Sequence, residues 1–88
     1  MKKKLIYIEW HDAASPADDT GWWSEEGIIK WSDNFDSRVL SVGWLIKECK
    51  EYILLASEHN VNNNNYAHPL RVPKTWIKKR VNLTKYIK

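Results

Sequence analysis

The chain has 88 residues, enough for one compact domain and too few for two. A single cysteine, Cys49, excludes an internal disulfide and any four-cysteine metal site. A formal net charge of +3 is too small for general coating of DNA, which rests on many phosphate contacts, so nucleic acid is not the expected partner.

Lys4 to Trp10 reads as the first strand, with Leu5, Tyr7 and Glu9 alternating against Ile6, Ile8 and Trp10. Both faces are largely apolar, which predicts a central or covered strand. Ala13 to Gly21 is a loop carrying Pro16, Asp18 and Asp19. Between Trp22 and Trp31 the spacing predicts one or two turns of helix. Ser24 is placed to cap it, and Glu25 and Glu26 fall in the first turn, where the dipole favours acids. Trp23, Ile28 and Trp31 fall at helical spacing, while Gly27 costs about 1 kcal/mol in a helix interior. Ser32 to Ser37 is read as a loop.

Arg38 to Lys47 is the clearest strand, with Leu40, Val42, Trp44 and Ile46 on one face and Val39, Ser41, Gly43 and Leu45 on the other. Gly43 marks a bulge or a place where a neighbouring strand approaches closely. Glu51 to Ser57 is the next strand, and the short link Glu48-Cys49-Lys50 predicts an antiparallel hairpin. Glu58 to Pro69, with its run Asn62 to Asn65, reads as a polar loop. Leu70 to Val72 is a short strand, Pro73 opens one helical turn through Ile77, and Lys79 to Leu83 is the last strand. These elements predict a mainly β single domain over residues 1–88. It is a small five-stranded SH3-like partly open barrel, with one short helix and a one-turn helix before the last strand.

Charge is unevenly spread. Leu5 to Asp36 holds eight acidic residues and one basic one, whereas Arg71 to Lys88 holds seven basic residues and no acid. The segments either neutralise one another within the fold, form a basic face for phosphate, or meet between subunits. Six Trp and four Tyr exceed what so thin a core needs, and two or three Trp are expected at a surface. A homo-oligomer follows from the same surplus. The start Met-Lys-Lys-Lys is followed by an apolar run, Leu5 to Ile8, too short for a secretion signal, and no stretch is long enough to span a membrane. The expectation is a cytoplasmic protein without a membrane partner.

Catalytic patterns are missing. His11, His59, His68 and Cys49 sit in no nucleophilic motif. The spacing of His59 and His68 matches no zinc finger, and Asp33-Asn34-Phe35-Asp36 lacks the alternation of a calcium loop. Three isolated glycines exclude glycine-rich phosphate loops. The chain is therefore read as a non-enzyme without metal or cofactor. A nucleotide needs flat apolar surfaces for its base and donors for its phosphates. Trp10, Trp22 and Trp23, near loop ends, are the candidates for the base. His11, Asp12 and Ser15 are the candidates for base or ribose hydrogen bonds, and Arg71 and Lys74 for phosphate. Trp44 and Trp76 are assigned to the core.

Four strings, Ile8-Glu9-Trp10-His11-Asp12, Gly21-Trp22-Trp23-Ser24, Ser41-Val42-Gly43-Trp44-Leu45-Ile46 and Val72-Pro73-Lys74-Thr75-Trp76-Ile77, are similar to a group of small bacteriophage accessory proteins. Most of that group carry no assigned function. The resemblance covers most of the chain outside the Asn run. It implies a phage protein acting in the host cytoplasm, in a class where some members counter host defence by sequestering cyclic nucleotide signals. The expected function is sequestration of a small nucleotide. The alternative is a protein-interaction module that inhibits or redirects a host protein.

Overall fold

The computed structural model describes residues 3–16 and 21–87. Five strands form one antiparallel sheet: β1 (Leu5–His11), β2 (Arg38–Glu48), β3 (Tyr52–Asn60), β4 (Asn65–Pro73) and β5 (Ile77–Asn82). One helix, α1 (Glu25–Asn34), lies in the long connection between β1 and β2. One turn of 3-10 helix, Lys74–Trp76, precedes β5, and a second, Thr84–Tyr86, follows it. The spatial order is β4-β3-β2-β1-β5, so β1 is interior, as its two apolar faces require, and the sheet is open between β4 and β5. This agrees with the mainly β, SH3-like layout read from the sequence.

Two irregularities bend the sheet. Register shifts between Glu9 and Trp10 against β5, and between Leu45 and Lys47 against β3. Bulges increase local twist and let a sheet curl on itself. The curl brings Ile6, Ile8 and Trp10 of β1 against Ile53 and Leu55 of β3 and Val72 of β4, with Val39, Leu45, Leu70 and Ile77 packed around them. Trp10 is only 8% exposed, and its indole Nε1 donates to the Ser41 hydroxyl at 3.1 Å, so the buried donor is satisfied. Gly43 is buried against β3, the close approach its position in the sequence suggests.

Glu48, at the end of β2, ties the curled sheet together. Its carboxylate meets Lys74 Nζ at 2.8 Å and the Arg80 guanidinium at 2.9 and 3.0 Å, linking β2 to the 3-10 turn and to β5. The backbone adds a bond from Lys74 N to Glu51 O at 2.8 Å. Arg80 and then Lys74 hold the Glu48 carboxyl at about 2, below its ordinary 4.5. Because the folded pKa is depressed, the stabilisation is fully present above pH 4.5 and is lost as pH falls towards 2. Glu48→Gln should cost about 1 kcal/mol at neutral pH, a modest value because the pair is partly exposed and screened. Chemical denaturation across an acid series should show that the difference from the parent fades below pH 4.5 and vanishes near pH 2.

Three segments differ from the sequence expectation. The helix is longer, absorbing residues 32–34 from the expected loop. Ser24 caps it as expected, accepting from Gly27 N at 3.0 Å. Its last turn is held by Asn34 Nδ2 donating to Lys30 O at 2.9 Å and by Phe35 packing on Trp31, with ring centroids 5.4 Å apart. The polar loop Glu58 to Pro69 is instead the end of a hairpin, with only residues 61–64 in the turn. Cross-strand stacking of His59 on Tyr66, at 4.3 Å, extends the ladder. Asn60 and Asn63 side chains accept from backbone N–H groups two residues on, and Asn64 adopts φ 57°, a left-handed conformation that asparagine tolerates. The final strand begins two residues earlier than expected, at Ile77, directly after the 3-10 turn. Asp18 and Asp19 of the first loop lie outside the described residues.

Candidate ligand-binding surface

Strand pairing assembles the candidate site. Lys47 of β2 and Arg71 of β4 both pair with Leu54 of β3, so the three side chains form one row across the sheet. Tyr52 and its partner Pro73 lie in the next row of the same face. The Arg71 guanidinium sits over the Tyr52 ring at 4.1 Å from its centroid, and Lys47 Nζ lies 5.5 Å from that centroid. Hydrogen bonding to the Tyr52 side chain raises the Lys47 pKa above its ordinary value, with Arg71 acting in the opposite sense. Among the described residues, no carboxylate lies within ion-pair distance of Arg71 or Lys47. Two like charges are thus held at one ring without an ion-paired carboxylate, an arrangement that an anion would relieve.

Beside them is an open cleft of about 480 Å³, lined by Glu51, Tyr52, Arg71, Pro73 and Trp76. Trp76 was assigned to the core from its sequence but is 36% exposed. The 3-10 turn sets it at the rim, where it stacks on the buried Trp10 at 6.3 Å and 18°. Trp44 is half-buried, its ring edge-on to His59 at 6.2 Å. Arg71 and Trp76 provide what a flat anionic ligand needs, a donor-rich cation and an aromatic surface. Glu51 adds an acceptor to the same cleft.

The sequence-derived candidates divide into two groups. Arg71 belongs to this cleft. Lys74 is close by in the chain, but its charge is matched by Glu48. Trp10 contributes from behind, as the core residue supporting Trp76, and offers little surface of its own for a base. His11 and Asp12 lie exposed at the end of β1, where Asp12 N donates to Ser37 O at 3.0 Å. Ser15, Trp22 and Trp23 lie exposed on the connection leading to α1. Lys47, Tyr52 and Trp76 were not read as site residues. Their only signal was residue type, because each sits in a strand or turn whose partner depends on register.

A second exposed surface belongs to α1. No residue of the helix is buried, and the helix at most grazes the strands. Trp22, Ile28, Ile29 and Phe35 are exposed, and a shallow hollow of about 470 Å³ runs along Trp23, Gly27, Lys30, Trp31, Asn34 and Phe35. Among the described residues, no three His, Cys, Asp or Glu side chains converge as a metal site, and no helix is long and apolar enough to cross a membrane. No family model, curated protein or solved structure matches the chain.

Proposed function

We infer that the domain is a non-catalytic binding protein that holds a small nucleotide at the Lys47, Tyr52, Arg71 and Trp76 surface. The reading rests chiefly on one observation, the two cations gathered at Tyr52 without an ion-paired carboxylate, beside an aromatic cleft. In this account Arg71 and Lys47 meet the phosphate, Trp76 carries the base, and Glu51 accepts from ribose hydroxyls. Sequestration of a nucleotide signal by a phage accessory protein is the role that fits, its setting drawn from the resemblance of the four sequence strings.

Thermal denaturation against a panel of linear and cyclic nucleotides tests the reading. A ligand binding only the folded state contributes about 2.7 kcal/mol at a hundredfold excess over its dissociation constant. Arg71→Ala should then weaken binding by about 10- to 100-fold, the loss of a charge-assisted hydrogen bond. Mass spectrometry should recover the ligand unchanged. A panel without a stabilising nucleotide, or an Arg71→Ala protein that binds as the parent does, overturns the reading.

The uncovered face of α1 favours a second reading, a module that captures a host protein. A pulldown whose specific partner is lost on Ile28→Asp substitution supports it, and a lysate without a specific partner speaks against it.

A further inference from the structure

Two surfaces of this chain are apolar and uncovered, and they differ in charge. The first is α1, where Ile28, Trp31 and Phe35 follow at helical spacing with Ile29 beside them. Its carboxylates Glu25, Glu26 and Asp33 have no cation within ion-pair distance among the described residues. The second is the outer face of β2, β1 and β5. Tyr7 pairs with Val42 on one side and Val81 on the other, and Glu9 in the next row pairs with Leu40 and Lys79. Leu40, Val42 and Val81 are exposed there.

The outward face of an antiparallel sheet ordinarily carries polar residues when water covers it. Here Leu40, Val42, Tyr7 and Val81 make it apolar. On this face Glu9 is approached by Arg38 at 3.9 Å, and Arg38 is itself held by Asp36. On the same face, at the β5 edge, Lys79 has no carboxylate within ion-pair distance among the described residues. An apolar helix with unpaired acids and an apolar sheet rimmed by the Lys79 ammonium are complementary.

We propose that α1 of one copy packs on the Leu40, Val42, Tyr7 and Val81 face of a second copy, with its acids towards Lys79. A twofold arrangement lets each copy give its helix and receive its partner's, so both uncovered surfaces are buried at once. The nucleotide cleft is not part of this interface, and the proposal does not depend on it.

Size-exclusion chromatography with light scattering tests the arrangement. The parent should run at the mass of two chains at high concentration and dissociate on dilution. Ile28→Asp, on the helix, and Val42→Asp, on the face, should each weaken self-association by at least about tenfold, as a charge placed in an apolar contact does. Leu40→Lys serves as a second face variant should Val42→Asp fail to fold, as judged by circular dichroism. An equimolar mixture of the helix variant and a face variant should associate more strongly than either variant alone. One intact helix then meets one intact face. A parent at single-chain mass at every concentration overturns the proposal, as expected if α1 folds onto its own sheet or waits for a foreign protein. A helix variant or a face variant that associates as the parent does overturns it too, because the interface would then join sheet to sheet or helix to helix.

Discussion

Truncating Ile53 to alanine should lower stability by about 2–5 kcal/mol, the range for deleting a fully buried aliphatic side chain. Ile53 is 0% exposed and lies in β3, in the core cluster that Ile6 and Ile8 of β1 and Val72 of β4 complete. The alanine loses the transfer free energy of the removed atoms and leaves a cavity. These neighbours are fixed by strand pairing, so they cannot close it. The loss is large for this domain because only seven hydrophobic side chains are buried among the described residues. Natural domains hold about 5–15 kcal/mol in total, and one this small belongs near the lower end. Urea denaturation should show a midpoint far below that of the parent with an unchanged slope. Leu40→Ala is the control, since Leu40 is 63% exposed. Under conditions where the chain is a single copy its effect should stay within about 0.5 kcal/mol.

Gly43→Val should be comparably damaging for the opposite reason, an atom too many. A Cβ at this position would lie 2.9 Å from the Ala56 carbonyl oxygen and 3.0 Å from the Leu55 Cβ. Neither neighbour is the free end of a flexible side chain, so relief requires β2 and β3 to move apart. Overpacking of this kind costs about 1–3 kcal/mol, and the branched side chain adds atoms beyond the Cβ. Each kcal/mol lowers the melting temperature of a domain this size by about 4–8 °C. Gly43→Ala should show a smaller drop of the same sign. A valine protein that melts with the parent would mean that the two strands do not approach as described.

Much of the fold was legible because it depends on local rules. Alternation along residues 5–10, 38–47 and 52–57 is the imprint of side chains pointing to opposite sheet faces, and it survives whatever the strands pair with. The short link at Cys49 required a hairpin, and Cys49 N bonds to Tyr52 O at 3.0 Å. Ser24 before two glutamates was sufficient to place the helix start, because capping involves only the next three residues. The helix end was missed since the Trp31–Phe35 contact, not a local stop signal, carries the chain past Ser32.

The candidate site was much less legible. Lys47, Tyr52, Arg71 and Trp76 are scattered over thirty residues, and only the register of β2, β3 and β4 and the 3-10 turn bring them together. Composition announced an aromatic surplus and a basic end but could not say which aromatics would meet which cations. Asn62 to Asn64 supply the turn that asparagine favours locally, but the residues on either side were misread as loop, because stacking of His59 on Tyr66 across the hairpin extends the ladder through them. Exposure of Trp76 was likewise decided by tertiary structure, since a side chain on a one-turn helix is set by where the turn docks. The sequence by itself therefore determined the strands, the hairpin at Cys49 and the helix cap, all governed by neighbours in the chain. Tertiary structure alone decided which cations share Tyr52, which tryptophans face water and that α1 stands uncovered, because each depends on register and curvature between residues far apart in the chain.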